Sequence, residues 1–136
     1  MEEQAISEGF KNLTTNQKMS VLNLLLSVAR CDNEQGNQDK EIICLNVYRR
    51  ILDVRGDKCI AYLESAGRQG LIKDLSQLSQ SQQEFLLFVA FDIIACDGKP
   101  NETELIFTVS IFEELGLDED RSLALIENAM MKRFAV

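Results

Sequence analysis

The sequence predicts an all-α protein, a compact bundle of about seven to eight helices built from two helical hairpins related by a pseudo-twofold axis. Apolar residues recur at helical spacing along almost the whole chain, and the period-two alternation of strands is nowhere sustained. One proline and seven glycines interrupt 136 residues. The length corresponds to one domain, since domains hold roughly 100–200 residues. We therefore treat residues 1–136 as a single helical domain.

The apolar stripes define the elements in chain order. Met19, Leu22, Leu25 and Leu26 lie on one helical face, and later segments repeat this spacing. An optional first helix near 2–11 is followed by predicted helices near 15–31, 38–53, 57–66, 69–78, 81–97, 102–115 and 119–134.

Cap residues and glycines set the helix boundaries. Ser81 with Glu84 and Asn101 with Glu104 fit the capping box, and Asp118 is a favourable N-cap. Glycine is the preferred residue just past a helix end. The predicted stop signals are Gly56, Gly67, Gly98 and Gly116.

Two segments of the chain match each other, which predicts an internal duplication of a helical hairpin. At an offset of 65, Cys31 and Asp32 fall on Cys96 and Asp97, and at an offset of 63, Glu41 falls on Glu104. Repeat 1 covers about 15–53 and repeat 2 about 81–116. Each copy reads helix, Cys-Asp, short polar loop, and a helix that opens near a glutamate.

Residues 95–104 (ACDGKPNETE), followed by 112–117 (FEELGL), resemble the tellurite-resistance TerB-like family. The matching positions are Asp97, Gly98, Glu104, Leu115 and Gly116. The first copy matches less well, because its loop is longer and Asn33 replaces the glycine. The resemblance implies a compact helical fold, acidic residues suspected of binding a divalent metal, and a link to stress and tellurite response. It implies no catalytic activity.

Carboxylates in the two loops form the candidate metal site: Asp97 with Glu104, and Asp32 with Glu41. A carboxylate at a helix C-terminus is destabilised by the helix dipole, and a bound cation would reverse that effect. Oxygen ligands suit calcium or magnesium, and the absence of histidine disfavours transition metals. Turn chemistry at Asp97 and the capping box at Glu104 explain both residues without a metal.

Composition excludes several classes of protein. Without histidine there is no Ser-His-Asp triad or HExxH site, and the net charge of −8 argues against nucleic-acid binding. The four cysteines form no CxxC pair, so we expect them to be buried free thiols of a protein in a reducing compartment. The acidic start lacks a secretory pattern, and the longest apolar run is too short to cross a membrane. We expect a cytoplasmic protein, monomeric or weakly dimeric.

Charge is polarised along the chain: residues 97–120 hold eight acids and one lysine, whereas residues 49–74 carry a net +2. We therefore expect a non-enzymatic acidic module that binds a divalent cation and contacts a partner protein, of basic character. Two alternatives remain: a metal-assisted hydrolase that uses the same carboxylates, and a metal-free interaction scaffold. Against the hydrolase, no phosphate-binding glycine loop or activated nucleophile is found.

Overall fold

A computed structural model describes residues 3–31 and 42–134, and every regular element in these ranges is a helix. This part of the chain therefore confirms the prediction of a compact all-α fold. None of its helices is long and apolar enough to cross a membrane. The helix α3 contains a π-helical segment, Cys44–Tyr48, which follows helical residues 42–43 and continues as Arg49–Leu52. The other helices are α1 (Glu3–Gly9), α2 (Thr15–Arg30), α4 (Gly56–Ser76), α5 (Gln80–Ile94), α6 (Glu102–Leu115) and α7 (Glu119–Phe134).

Helices α2 and α5 lie at the centre of the bundle. The stretch 20–26 of α2 is buried on every face, and α5 buries eight of its residues. A helix that is apolar all round packs inside a protein, which is why these two sequences become central. They contact each other and α6, while α4 packs along α2 and α7 packs against α5 and α6. Phe112 of α6 is completely buried in the core of this bundle.

Helix α4 is sharply bent at Gly67, where φ is 68° and ψ is −172°. Tyr62 precedes the bend and donates its hydroxyl to Asp74 Oδ2, which follows it, at 2.5 Å. In a straight helix these residues, 12 apart, would be separated by about 18 Å. Ser20 of α2 donates to the same carboxylate oxygen at 2.8 Å. The predicted boundary between helices 57–66 and 69–78 is therefore present as a bend at the expected glycine.

One predicted cap is wrong by two residues. The N-cap of α5 is Ser79, which exchanges hydrogen bonds with Gln82 in a complete capping box, rather than Ser81 with Glu84. Glu84 is turned instead toward Arg121 of α7 and accepts from its guanidinium at 3.0 Å. The polar run before α5 holds several cap-forming residues, and the buried face of the helix decides which one is used.

The two central helices begin alike. Thr14 caps α2 through a capping box with Gln17, and it stands 65 residues before Ser79, the offset of the internal match. Both cap residues are extended, as an N-cap requires. The predicted box of Asn101 with Glu104 at the start of α6 is confirmed.

The helix ends also recur, at the second offset of 63. Asp53 ends α3 and Gly116 ends α6, both in the left-handed conformation. Val54 and Leu117 then donate their N–H to the carbonyl five residues earlier, at 3.2 and 3.0 Å, as in a Schellman motif. These shared ends support the duplication, while superposition of the two halves stays a prediction. Gly56, expected to end a helix, is instead the first residue of α4.

Candidate functional site

The second predicted loop joins α5 to α6. After Ile94 the chain makes a turn in which Gly98 donates its N–H to Ala95 O at 3.3 Å. Gly98 has a φ of 131°, which a residue with a side chain rarely adopts. Asp97 is exposed within this turn. Its carboxylate therefore lies beyond the C-terminus of α5, where the sequence predicts it.

Glu104 occupies the third position of α6 and is 4% exposed. Its Oε1 accepts the N–H of Asn101 at 3.0 Å, and its own N–H donates to Asn101 Oδ1 at 2.8 Å. Its carbonyl oxygen accepts the hydroxyl of Thr108 at 2.8 Å. The capping box therefore accounts for the position of this carboxylate, and a dipole at the helix N-terminus favours its charge.

The first-loop ligands, Asp32 and Glu41, lie outside the residues that the structure describes. Within residues 3–31 and 42–134, no three acidic or cysteine side chains are grouped so that they could hold a metal ion. Asp97 and Glu104 supply two carboxylates, and one oxygen of Glu104 is engaged as a cap. Calcium takes about six to eight oxygens, so these two residues alone do not fit a resident cation.

Asp92 lies at the edge of α5, half-buried, and accepts from Arg133 of α7 at 3.3 Å. Asp92 borders a groove of about 340 Å³ together with Phe88, Phe91 and Arg133, and Asp97 is not part of its lining. A pocket that contained both aspartates would favour the hydrolase alternative, and this groove contains only Asp92.

The three thiols that the structure describes differ in exposure, which corrects the expectation that all four are buried; the side chain of Cys44 lies outside what the structure describes. Cys59 is 1% exposed, and burial, followed by the charge of Asp57, raises the pKa of its thiol. Cys96 is exposed in the turn after α5, and Cys31 is half-buried at the end of α2. Both follow the last full turn of their helix, where apolar neighbours in sequence do not guarantee burial.

Most of the acidic residues of the segment 97–120 are exposed. Seven of its eight carboxylates reach solvent, and Glu104 is the exception. Glu114 is held by Arg68 of α4 at 2.6 Å. This contact joins the acidic segment to the more basic segment 49–74. We call the exposed carboxylates of residues 97–120 the acidic face.

A cavity of about 340 Å³, the junction pocket, lies where α4 and α6 end and α5 and α7 begin. Its lining includes Ser76, Leu78, Gln83, Leu117, Asp118 and Arg121. Sequence reasoning missed this pocket. The only signal was Gln83, a polar residue at a position where α5 faces the core.

Gln83 is 5% exposed and joins two helix ends. Its side-chain Nε2 donates to Leu75 O of α4 at 3.2 Å and to Leu115 O of α6 at 3.0 Å. Both carbonyls lie in the last turn of their helix, where the regular helical donors run out, although Leu75 O also accepts the N–H of Leu78 at 3.2 Å. The amide therefore fixes α4 and α6 to the start of α5 and shapes the floor of the junction pocket.

No protein-family model matches the chain, and searches of curated proteins and of solved structures found no match either.

Proposed function

We propose that this chain is a non-enzymatic acidic helical module that contacts a basic partner protein and binds a divalent cation through loop carboxylates. The observation that carries the proposal is the acidic face, seven exposed carboxylates within residues 97–120. Clustered charge of one sign attracts a partner of the opposite sign and speeds its association. The TerB-like resemblance of residues 95–104 adds a role in stress or tellurite response to the proposal.

The environment of the polar groups supports a binding role better than a catalytic one. Thr108 donates its hydroxyl to a backbone carbonyl, and Asp92 is paired with Arg133. The first bond lies within α6, and the second joins α7 to α5. A nucleophile needs a base that takes its proton, and a backbone carbonyl does not.

The proposed cation ligands are Asp97 and Glu104 together with Asp32 and Glu41. Two loops would then contribute two carboxylates each, and exposed helix-end carbonyls would supply further oxygens. Such a donor set suits calcium, which accepts irregular oxygen ligands, better than magnesium, which retains its waters. A cation beside Asp97 would also offset the unfavourable helix dipole at that end of α5.

Melting curves test the cation. A ligand that binds only the folded state stabilises it by about 2.7 kcal/mol at one hundred times Kd. In a domain of this size that raises Tm by several degrees. We expect the shift with millimolar calcium, a smaller one with magnesium, and none with chelator. Asp97→Asn and Glu104→Gln should lose the shift. Equal Tm values for the parent in all three buffers would exclude the cation and leave the metal-free scaffold.

Binding of a fluorescent decalysine peptide, followed by anisotropy, tests the acidic face. Glu113→Gln combined with Glu119→Gln removes two exposed charges from the face and should weaken binding. The control pair, Glu64→Gln with Glu127→Gln, removes two exposed charges outside residues 97–120. Salt should weaken binding to the parent, because exposed charges are screened. Equal loss in the two double variants would show that net charge, rather than the acidic face, attracts the peptide.

A further inference from the structure

The junction pocket contains an acceptor that no donor reaches from residues 3–31 or 42–134. Nε2 of Gln83 faces the two helix-end carbonyls, so its Oε1 is the part of the amide left for the pocket that Gln83 borders. Within the part of the chain that the structure describes, no protein donor reaches this oxygen, which is open to solvent rather than sealed in the core. The side chain is otherwise buried and held by its amide nitrogen, so the oxygen offers a fixed acceptor to a ligand that donates.

Two further acceptors line the same pocket. Ser76 uses its hydroxyl hydrogen on Lys73 O at 3.0 Å, which leaves the oxygen lone pairs able to accept. Asp118 caps α7 through one oxygen, Oδ2, which accepts the N–H of Arg121 at 3.1 Å. Its other oxygen and its negative charge remain at the pocket mouth.

The positive charge of Arg121, which lines the pocket, is already neutralised by Glu84. Arg121 donates to both carboxylate oxygens of Glu84, at 3.0 and 3.2 Å, and Gln80 donates to Glu84 as well. This pairing lowers the pKa of Glu84, so the ion pair persists at neutral pH. Asp118 therefore supplies the charge that the lining leaves uncompensated, and it is negative.

We propose that the junction pocket receives the ammonium group of a lysine side chain from the basic partner. A lysine ammonium has three donors and no acceptor, which matches Gln83 Oε1, Ser76 Oγ and Asp118. The methylene stem suits the apolar walls, Leu78 and Leu117. The volume of about 340 Å³ lies at the low end of the range of about 300–1,000 Å³ for ligand pockets, as a single side chain requires.

Charge complementarity favours this occupant over an anion or an apolar group. An anion would meet the Asp118 carboxylate, and an apolar group would leave Gln83 Oε1 without a donor. Asp118 lines the pocket, and the exposed Glu119 and Asp120 follow it in sequence, so this end of the bundle would attract a lysine-rich segment. The inference rests on the proposed function for the source of the lysine, since the basic partner supplies it.

The test uses Nα-acetyl-lysine methylamide, titrated into the full chain and followed by the backbone amide NMR signals of Gly116, Leu117 and Arg121. The matched ligand is Nα-acetyl-norleucine methylamide, which keeps the stem and lacks the ammonium. We expect saturable shifts with the lysine compound only. An equal response to the norleucine compound, or no shift at these amides, would overturn the proposal.

Two variants of equal charge separate the pocket from general attraction. Asp118→Asn keeps an N-cap acceptor and removes the charge at the mouth, and should weaken lysine binding about tenfold, the effect of one charge-assisted hydrogen bond. Asp120 lies two residues further along the chain and does not line the pocket. Asp120→Asn should therefore weaken lysine binding less than about twofold. Equal effects would overturn the proposal.

Failure here can be told apart from failure of the proposed function. If decalysine binds the acidic face but the amide signals of the junction pocket do not shift, the proposed function stands and the lysine site is rejected. If the lysine compound binds in the pocket but decalysine does not bind, the lysine site stands and the acidic face is rejected as a docking surface.

Discussion

Replacing Glu104 separates its role as a helix cap from any role of its charge. The residue is 4% exposed and exchanges two hydrogen bonds with Asn101. Among the described helices, two further capping boxes use glutamine at the same position, Gln17 and Gln82. Glu104→Gln should therefore keep the box, whereas Glu104→Ala removes the acceptor for the Asn101 N–H.

The magnitudes follow from these contacts. Glu104→Gln loses the interaction of a carboxylate with the helix N-terminus, so the free energy of unfolding should fall by less than about 1 kcal/mol. Glu104→Ala leaves a part-buried N–H without its acceptor and should cost about 1–3 kcal/mol. For a domain of this size, each kcal/mol corresponds to about 3–5 °C in Tm.

The assay is urea unfolding and thermal melting in chelator, so that a bound cation does not contribute. Gln82→Ala serves as the matched control, because it removes the same element from the box of α5. The stability of Gln82→Ala should lie between those of the parent and Glu104→Ala, since Gln82 is less buried than Glu104. If Glu104→Gln were as unstable as Glu104→Ala, the fold would depend on the charge of Glu104, and the capping explanation would be refuted.

Two further predictions concern a tyrosine and the thiols. The hydrogen bond to Asp74, and then burial, raise the pKa of Tyr62, so the folded state holds this proton more tightly than the unfolded state. Its stabilising contribution should be complete below about pH 10 and decline above it, as urea titrations across alkaline pH would measure. In Tyr62→Phe, the free energy of unfolding should decline less at alkaline pH than in the parent. The same alkaline decline in both proteins would contradict the role of Tyr62. A bulky maleimide applied briefly, with peptide mapping by mass spectrometry, should modify Cys96 well before Cys59, which is 1% exposed and has a raised thiol pKa. Equal labelling of the two in folded protein would contradict this order.

The candidate site divides between what local chemistry predicts and what it misses. The capping box at Glu104 was predictable, because its partners are three residues apart in sequence. The exposed turn that holds Asp97 was predictable from Gly98. The junction pocket was not, because Gln83 gains its role from Leu75 and Leu115, which are 8 and 32 residues away.

The sequence by itself determined the helical class, the order of the helices and most of their boundaries. These features depend on apolar spacing, caps and glycines, all of which act within a few residues. It also determined the two offsets, 65 and 63, at which helix starts and helix ends recur. The bend in α4 belongs to the same group, since glycine alone readily adopts the conformation of Gly67.

Which polar groups meet across the bundle depends on how the helices pack against one another. Ser79 rather than Ser81 caps α5, because packing selects the register of the helix against its neighbours. Asp74 joins Tyr62 and Ser20, and Glu84 joins Arg121, through contacts that no local pattern encodes. The physical reason is that such pairs depend on the relative placement of whole helices, which the burial of the common core fixes.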